Sequence, residues 1–121
     1  MAKKDELLFV YGTLMKKAGH PMHKTLARYA TYLGEATAKG VLYDLGAYPA
    51  MREGEGSVRG ELYRVEDAAR LFKALDRYEG YEYARKKVVV TTPEGGKEAW
   101  AYLYKKPLPP TRRIRSGAYL P

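Results

Sequence analysis

The apolar residues Ala68, Leu71, Phe72, Leu75 and Tyr78 fall at i, i+3, i+4 spacing, the mark of an amphipathic helix with one face turned to a core. Glu66 and Asp67 place negative charge at its start and Gly80 stands where it should end. Elsewhere only the stretch opened by Pro21 and running to Arg28 offers a second, short helix. The remaining segments read as strands. The elements do not alternate strand with helix. A doubly wound fold is therefore excluded in favour of an α+β domain with an antiparallel or mixed sheet, closed toward a barrel.

The strands follow from period and composition. Leu7–Tyr11 is a short apolar run closed by Gly12, the form of a buried first strand. Thr31 to Tyr43 is rich in small and β-favouring residues and predicts a strand interrupted at Gly34 and Gly40. A short strand is expected from Tyr48 to Met51, then a turn at Glu53-Gly54-Glu55-Gly56, then a strand from Val58 to Val65. Lys86–Thr92 and Glu98–Tyr104, joined through Pro93-Glu94-Gly95-Gly96, form a hairpin. In its last strand Trp100, Tyr102 and Tyr104 share one face, and Ala99, Ala101 and Leu103 the other. At 121 residues the chain suits a single domain over 1–121, with an irregular basic tail at 105–121.

Composition removes several chemistries. With no cysteine, disulfides, thiolate metal sites and a Cys nucleophile are excluded. The chain also lacks Asn and Gln while charged residues make up 30% of it, the pattern associated with hyperthermophiles. No apolar run reaches the roughly 18 residues of a membrane span, and the run after the basic start is too short for a signal peptide, so a cytoplasmic protein is expected. Net charge is +8, from 22 Lys and Arg against 14 Asp and Glu, which permits a nucleic-acid partner without requiring one. Lys105, Lys106, Arg112, Arg113 and Arg115 cluster near the C-terminus, and a solvated tail is the commoner use of such a run.

Phosphate loops, dinucleotide-binding glycine motifs and nucleophile elbows are all absent from the sequence. His20 and His23 lie in one loop without a third ligand close in sequence, so they read as surface histidines, and neither metal nor cofactor is expected. Two features carry chemistry. The loop Tyr11-Gly12-Thr13-Leu14 follows the first strand directly, and a glycine there allows a sharp turn with consecutive N–H groups exposed. Such amides suit a carboxylate or a developing oxyanion. On spacing alone an ordinary tight turn is the commoner use of such a glycine. Glu79 sits in the last helical turn, where the dipole disfavours its anion, between Tyr78 and Tyr81, which are placed to desolvate it. Both effects raise a carboxyl pKa toward the range of general acid–base work, and a surface glutamate at a helix end is the alternative.

Taken in order, the strand ending in Tyr11-Gly12-Thr13-Leu14, the Gly60-Glu61-Leu62-Tyr63 strand, the helix closing on Leu75-Asp76-x-x-Glu79-Gly80, and Tyr83-x-Arg85 resemble the gamma-glutamylcyclotransferase-like, or AIG2-like, family. The likeness runs from about Leu8 to Tyr104. It implies a small mixed, mostly antiparallel β-barrel with flanking helices and a cavity at one end. It also implies that the backbone of Tyr11, Gly12, Thr13 and Leu14 holds the substrate and that Glu79 is the acid–base residue. The implied reaction cyclises a γ-glutamyl amide to 5-oxoproline and releases an amine or amino acid, without a cofactor.

This chemistry suits a chain lacking a plausible nucleophile of its own, because the substrate's α-amine serves as nucleophile. The enzyme need only fold the substrate for attack and carry one proton. Glu82 and Glu61 compete for the base role. Glu82 lies past Gly80, and Glu61 lies within a strand, where a structural hydrogen bond or ion pair is the expected use. Tyr83, Arg85, Tyr102 and Tyr104 are candidates for the cavity wall. The rival reading is a non-catalytic module binding a small ligand, or RNA through the basic tail. The expected partner is a small γ-glutamyl molecule, with no membrane, and the oligomeric state is left open.

Overall fold

The computed structural model describes residues 6–119. The basic start and the last two residues of the expected tail lie outside that range. In chain order the elements are β1 (Glu6–Val10), a 3-10 turn (Lys16–Ala18), α1 (His23–Tyr29), β2 (Ala30–Asp44) and β3 (Pro49–Val65). These are followed by α2 (Ala68–Glu79), β4 (Tyr83–Thr92), β5 (Gly95–Tyr104) and a 3-10 turn (Pro110–Arg112). The strands close into a barrel in the order β1-β3-β2-β4-β5. Every pairing is antiparallel except β1 with β5 and a single contact of β3 with β5, so the sheet is mixed but mostly antiparallel, as the order of elements predicts.

Strand alternation sorts the side chains into two cores. Phe9, Leu42, Met51, Val58 and Leu62 fill the barrel together with Ala99, Ala101 and Leu103 of β5. The opposite faces carry Leu8, Val10, Tyr63 and Tyr102 into a second cluster with Leu26 of α1 and Leu71, Phe72 and Leu75 of α2. The face assignment made for β5 therefore holds. Helix α2 begins as expected, with the Asp67 side chain accepting the Arg70 N–H, but Glu66 turns instead to Thr31 and Arg64. At its other end Gly80 takes a φ of +83°, a conformation open to glycine and strained for other residues. The chain turns there into β4.

Two expectations need correction. The strand from Ala30 is not interrupted at its glycines: β2 runs unbroken to Asp44 and shifts register between Tyr32 and Gly34 and between Lys39 and Val41. The segment Glu53–Gly56 is not a turn either. Lys39 pairs with Ser57 and Val41 with Arg52, so Glu53–Gly56 stand opposite Gly40 as a bulge inside one continuous β3. Glycines on both strands allow this, because a Cβ on Gly40 would stand 3.0 Å from the Arg52 carbonyl oxygen and one on Gly56 2.8 Å from the Gly40 carbonyl oxygen. The turn that joins β2 to β3 lies at Leu45–Tyr48, closed by the Leu45 N–H on the Tyr48 carbonyl.

The C-terminal segment packs back on the barrel. Ile114 N–H donates to the Leu42 carbonyl and Arg59 N–H to that of Gly117, while Arg112, Arg113 and Arg115 remain exposed. Among the described residues no helix is long and apolar enough to cross a membrane.

Candidate active site

The loop after β1 is held on every side. Tyr11 buries its ring in the barrel end, donates its hydroxyl to the Tyr102 carbonyl at 2.6 Å and accepts the Met51 N–H at 3.3 Å. Gly12 does not adopt the left-handed conformation that a sharp glycine turn would use. Its role is to permit close approach, since a Cβ there would stand 2.6 Å from Pro49 Cγ. The turn closes with the Met15 N–H on the Gly12 carbonyl, and the Lys16 N–H continues to Glu61 Oε1 at 2.7 Å. The Thr13 hydroxyl meets the Tyr78 hydroxyl at 2.7 Å, which ties the loop to α2 one residue before Glu79. The Leu14 carbonyl accepts from His23 Nδ1 at 2.9 Å. With these bonds in place, the N–H groups of Gly12, Thr13 and Leu14 have no partner among the described residues.

Glu79 is the last residue of α2, and its helix end is clamped to the sheet one turn earlier. Asp76 accepts Arg85 Nε at 3.1 Å and the Tyr102 hydroxyl at 2.6 Å, while the Arg85 guanidinium lies over the Phe72 ring at 4.0 Å. Arg85 is thus part of the clamp and does not line the cavity, and Tyr104 also stands outside it, whereas Tyr83 and Tyr102 form part of the wall. The cavity measures about 390 Å³, and Tyr11, Gly12, Thr13, Leu14 and Glu79 all line it. The five residues singled out from sequence therefore meet at one place.

Glu79 is mostly buried and its carboxylate accepts no hydrogen bond from any described group. Burial pushes its pKa up to about 7. The surroundings that desolvate it differ from those expected. Tyr78 lines the cavity, but Tyr81 is 83% exposed because the turn at Gly80 throws it outward. The Tyr48 and Pro49 side chains close the wall instead, delivered by the turn between β2 and β3. Neither is marked by any local pattern; only barrel closure brings them to β1. Burial also raises the Tyr11 hydroxyl pKa well above the usual tyrosine range, with the Glu79 charge as the second cause.

The rival carboxylates are engaged. Glu61 is 4% exposed and accepts both the Lys16 N–H and the Tyr63 hydroxyl, the structural use expected of it. Glu82 reaches the cavity edge, but its Oε2 accepts the Tyr104 hydroxyl at 3.3 Å and faces Lys106 Nζ at 3.9 Å. The histidines are not surface groups as expected. Both are partly buried; His23 braces the loop and His20 lines the cavity. Among the described residues no cluster of three or more His, Asp or Glu side chains converges as a metal site needs.

The arrangement offers backbone donors on one side and a carboxyl of raised pKa on the other. Comparison with known proteins agrees in outline. The profile of the family described as "Gamma-glutamyl cyclotransferase, AIG2-like" matches residues 8–121. The gamma-glutamylcyclotransferase family protein YtfP of Escherichia coli K12 is 38% identical over 114 residues, covering 93% of this chain and 95% of the relative. Among solved structures, the uncharacterized protein PH0828 from Pyrococcus horikoshii superposes with a TM-score of 0.72 at 29% identity, over 94% of this chain and 89% of that one. A mouse AIG2-like protein shares the fold, with a TM-score of 0.73 at 21% identity over 97% of this chain and 89% of that one.

Proposed function

The chain belongs to the AIG2-like gamma-glutamyl cyclotransferase family, and from that premise we propose that it cyclises a γ-glutamyl amide to 5-oxoproline, with Glu79 as the proton carrier. The observation that carries this reading is a buried carboxyl without partners, its pKa pushed up to about 7, facing a loop whose amides are free among the described residues. A base working near neutral pH needs a pKa in that range.

The steps balance without any further group. Glu79 takes a proton from the substrate's α-ammonium. The freed amine attacks the γ-carbonyl carbon, and the carbonyl oxygen becomes an oxyanion. The C–N bond to the leaving group then breaks as Glu79 gives that proton to the departing nitrogen, and the second proton of the ring nitrogen passes through the regenerated carboxylate to the released amine, which leaves as an ammonium. The Gly12–Leu14 amides hold the substrate's negative oxygens, and the confined wall selects the folded substrate shape that attack requires.

The test is incubation of the purified protein with a panel of γ-glutamyl amino acids and γ-glutamyl amines, with 5-oxoproline measured by mass spectrometry. Enzyme-dependent 5-oxoproline supports the reading. A panel that returns every substrate intact counts against it.

A further inference from the structure

The two histidines, His20 in the loop before α1 and His23 at the first position of that helix, are held in opposite tautomers. The Leu14 carbonyl only accepts, so His23 carries its proton on Nδ1 and donates it at 2.9 Å. The Met22 N–H only donates, and it points to His20 Nδ1 at 3.0 Å, so that nitrogen is an acceptor and the neutral ring bears its proton on Nε2. The His20 ring stands 5.4 Å from the Tyr78 ring and lines the same cavity as Glu79. Its Nε2–H has no partner among the described residues.

The cavity lining has a charge problem that His20 answers. It contains the carboxyls of Glu79 and Glu82 and no Lys or Arg among the described residues. A glutamyl group brings a carboxylate of its own into this space. Backbone amides of Gly12–Leu14 supply part of what that carboxylate needs, and among the described residues His20 is the single nitrogen-bearing side chain in the wall. Its hydrogen bond to Met22 fixes the ring with the donor edge free.

Resting on the cyclotransferase reading, we infer that His20 is a substrate-binding residue whose Nε2–H, with the loop amides, holds the α-carboxylate of the glutamyl group. The attacking amine then lies on the Glu79 side and the carboxylate on the loop side, so the two groups on the α-carbon face opposite walls. Recognition of the glutamyl carboxylate therefore combines backbone amides with a side chain that takes no part in the bonds of the Gly12–Leu14 segment itself.

The experiment is calorimetric titration of wild type, His20→Ala, His20→Phe and His20→Gln with 5-oxoproline and with 2-pyrrolidinone, the same ring without the carboxylate. Wild type is expected to prefer 5-oxoproline. His20→Ala and His20→Phe should lose about tenfold in affinity for 5-oxoproline, the size of one hydrogen bond to a charged group, and none for 2-pyrrolidinone. His20→Phe keeps the ring packing on Tyr78, and both variants lose the acceptor of the Met22 N–H, so a loss shared by both that spares 2-pyrrolidinone reports the missing Nε2–H and not a collapsed wall. His20→Gln, which restores a donor, should recover part of the loss. In turnover the same variants should raise KM with kcat little changed, the signature of binding shared by ground and transition states. Wild-type affinity for 5-oxoproline in both His20→Ala and His20→Phe overturns the assignment while leaving the cyclotransferase reading intact. Failure of wild type itself to bind 5-oxoproline overturns both.

Discussion

Two glutamates, one buried and one mostly buried, frame the loop after β1, and their surroundings could hardly differ more. Glu61, on β3, accepts the Lys16 N–H at 2.7 Å and the Tyr63 hydroxyl at 3.0 Å. Glu79, at the end of α2, accepts nothing from the described residues and has its pKa pushed up to about 7 by burial. Burial with donors makes a carboxylate into a brace: Glu61 anchors the chain just beyond Leu14 to the barrel wall. Burial without donors leaves the charge uncompensated, so the proton is held more tightly and becomes exchangeable near neutrality. The same functional group thus holds its proton loosely or tightly according to how many donors the fold aims at it.

The sharpest way to break this contrast is Glu79→Gln. The amide has nearly the same shape but exchanges no proton, so kcat/KM for cyclisation should fall about a thousandfold, within the usual span for loss of a general acid–base group. The circular dichroism spectrum should stay unchanged. If activity in the variant approached that of wild type, Glu79 would not be the proton carrier, whatever its burial.

How much of this was legible in the sequence depended on how local each signal was. The helix α2 and its two ends followed from apolar period, Asp67 and Gly80, all of which act within a few residues. The face split of β5 followed from alternation alone. The glycines of β2 and β3 misled, because a glycine that permits a bulge looks in sequence like one that permits a turn; partner strands decide between them. Tyr81 misled for a related reason, since the positive φ at Gly80 sends the next residue away from the cavity. Pro49, Tyr48 and His20 reach the site only through barrel closure, and no spacing in the chain announces them. Glu79 and the loop were found because the resemblance supplied their pairing, which neither residue pattern carries alone.

A second break acts on the other carboxylate. Replacing Glu61 with Leu removes the acceptor for two groups at once, leaving the buried Tyr63 hydroxyl and the partly buried Lys16 N–H without it. Each such group costs about 1–3 kcal/mol, so a loss of about 3 kcal/mol is expected in denaturant unfolding. Because Lys16 follows the loop, KM should also rise. A variant as stable as wild type would show that Glu61 is not the brace described here.

The smallest effect sharpens the contrast most, because it reverses the usual direction of a substitution. The Glu79 pKa lies at about 7 in the folded protein against 4.5 for an ordinary glutamate. Below the lower value the carboxyl is protonated in both folded and unfolded chains, and its burial carries no charge penalty. Between the two values the folded state retains a proton that the unfolded state releases, so stability falls as pH rises. Above about 7 the carboxylate is ionised in both states and the cost of burying it is complete. Discounted for water in the cavity, that cost is about 2 kcal/mol. Glu79→Gln, with no charge to bury, should therefore match wild type near pH 4 and exceed it by about that amount near pH 8, measured by denaturant unfolding at each pH. A stability gap that does not change with pH would mean that the site holds its glutamate without strain on the proton. A gap that opens between about pH 4.5 and 7 and then stays level would show that the fold gives up stability to hold one carboxyl without donors, a cost that Glu61, with its two donors, does not impose.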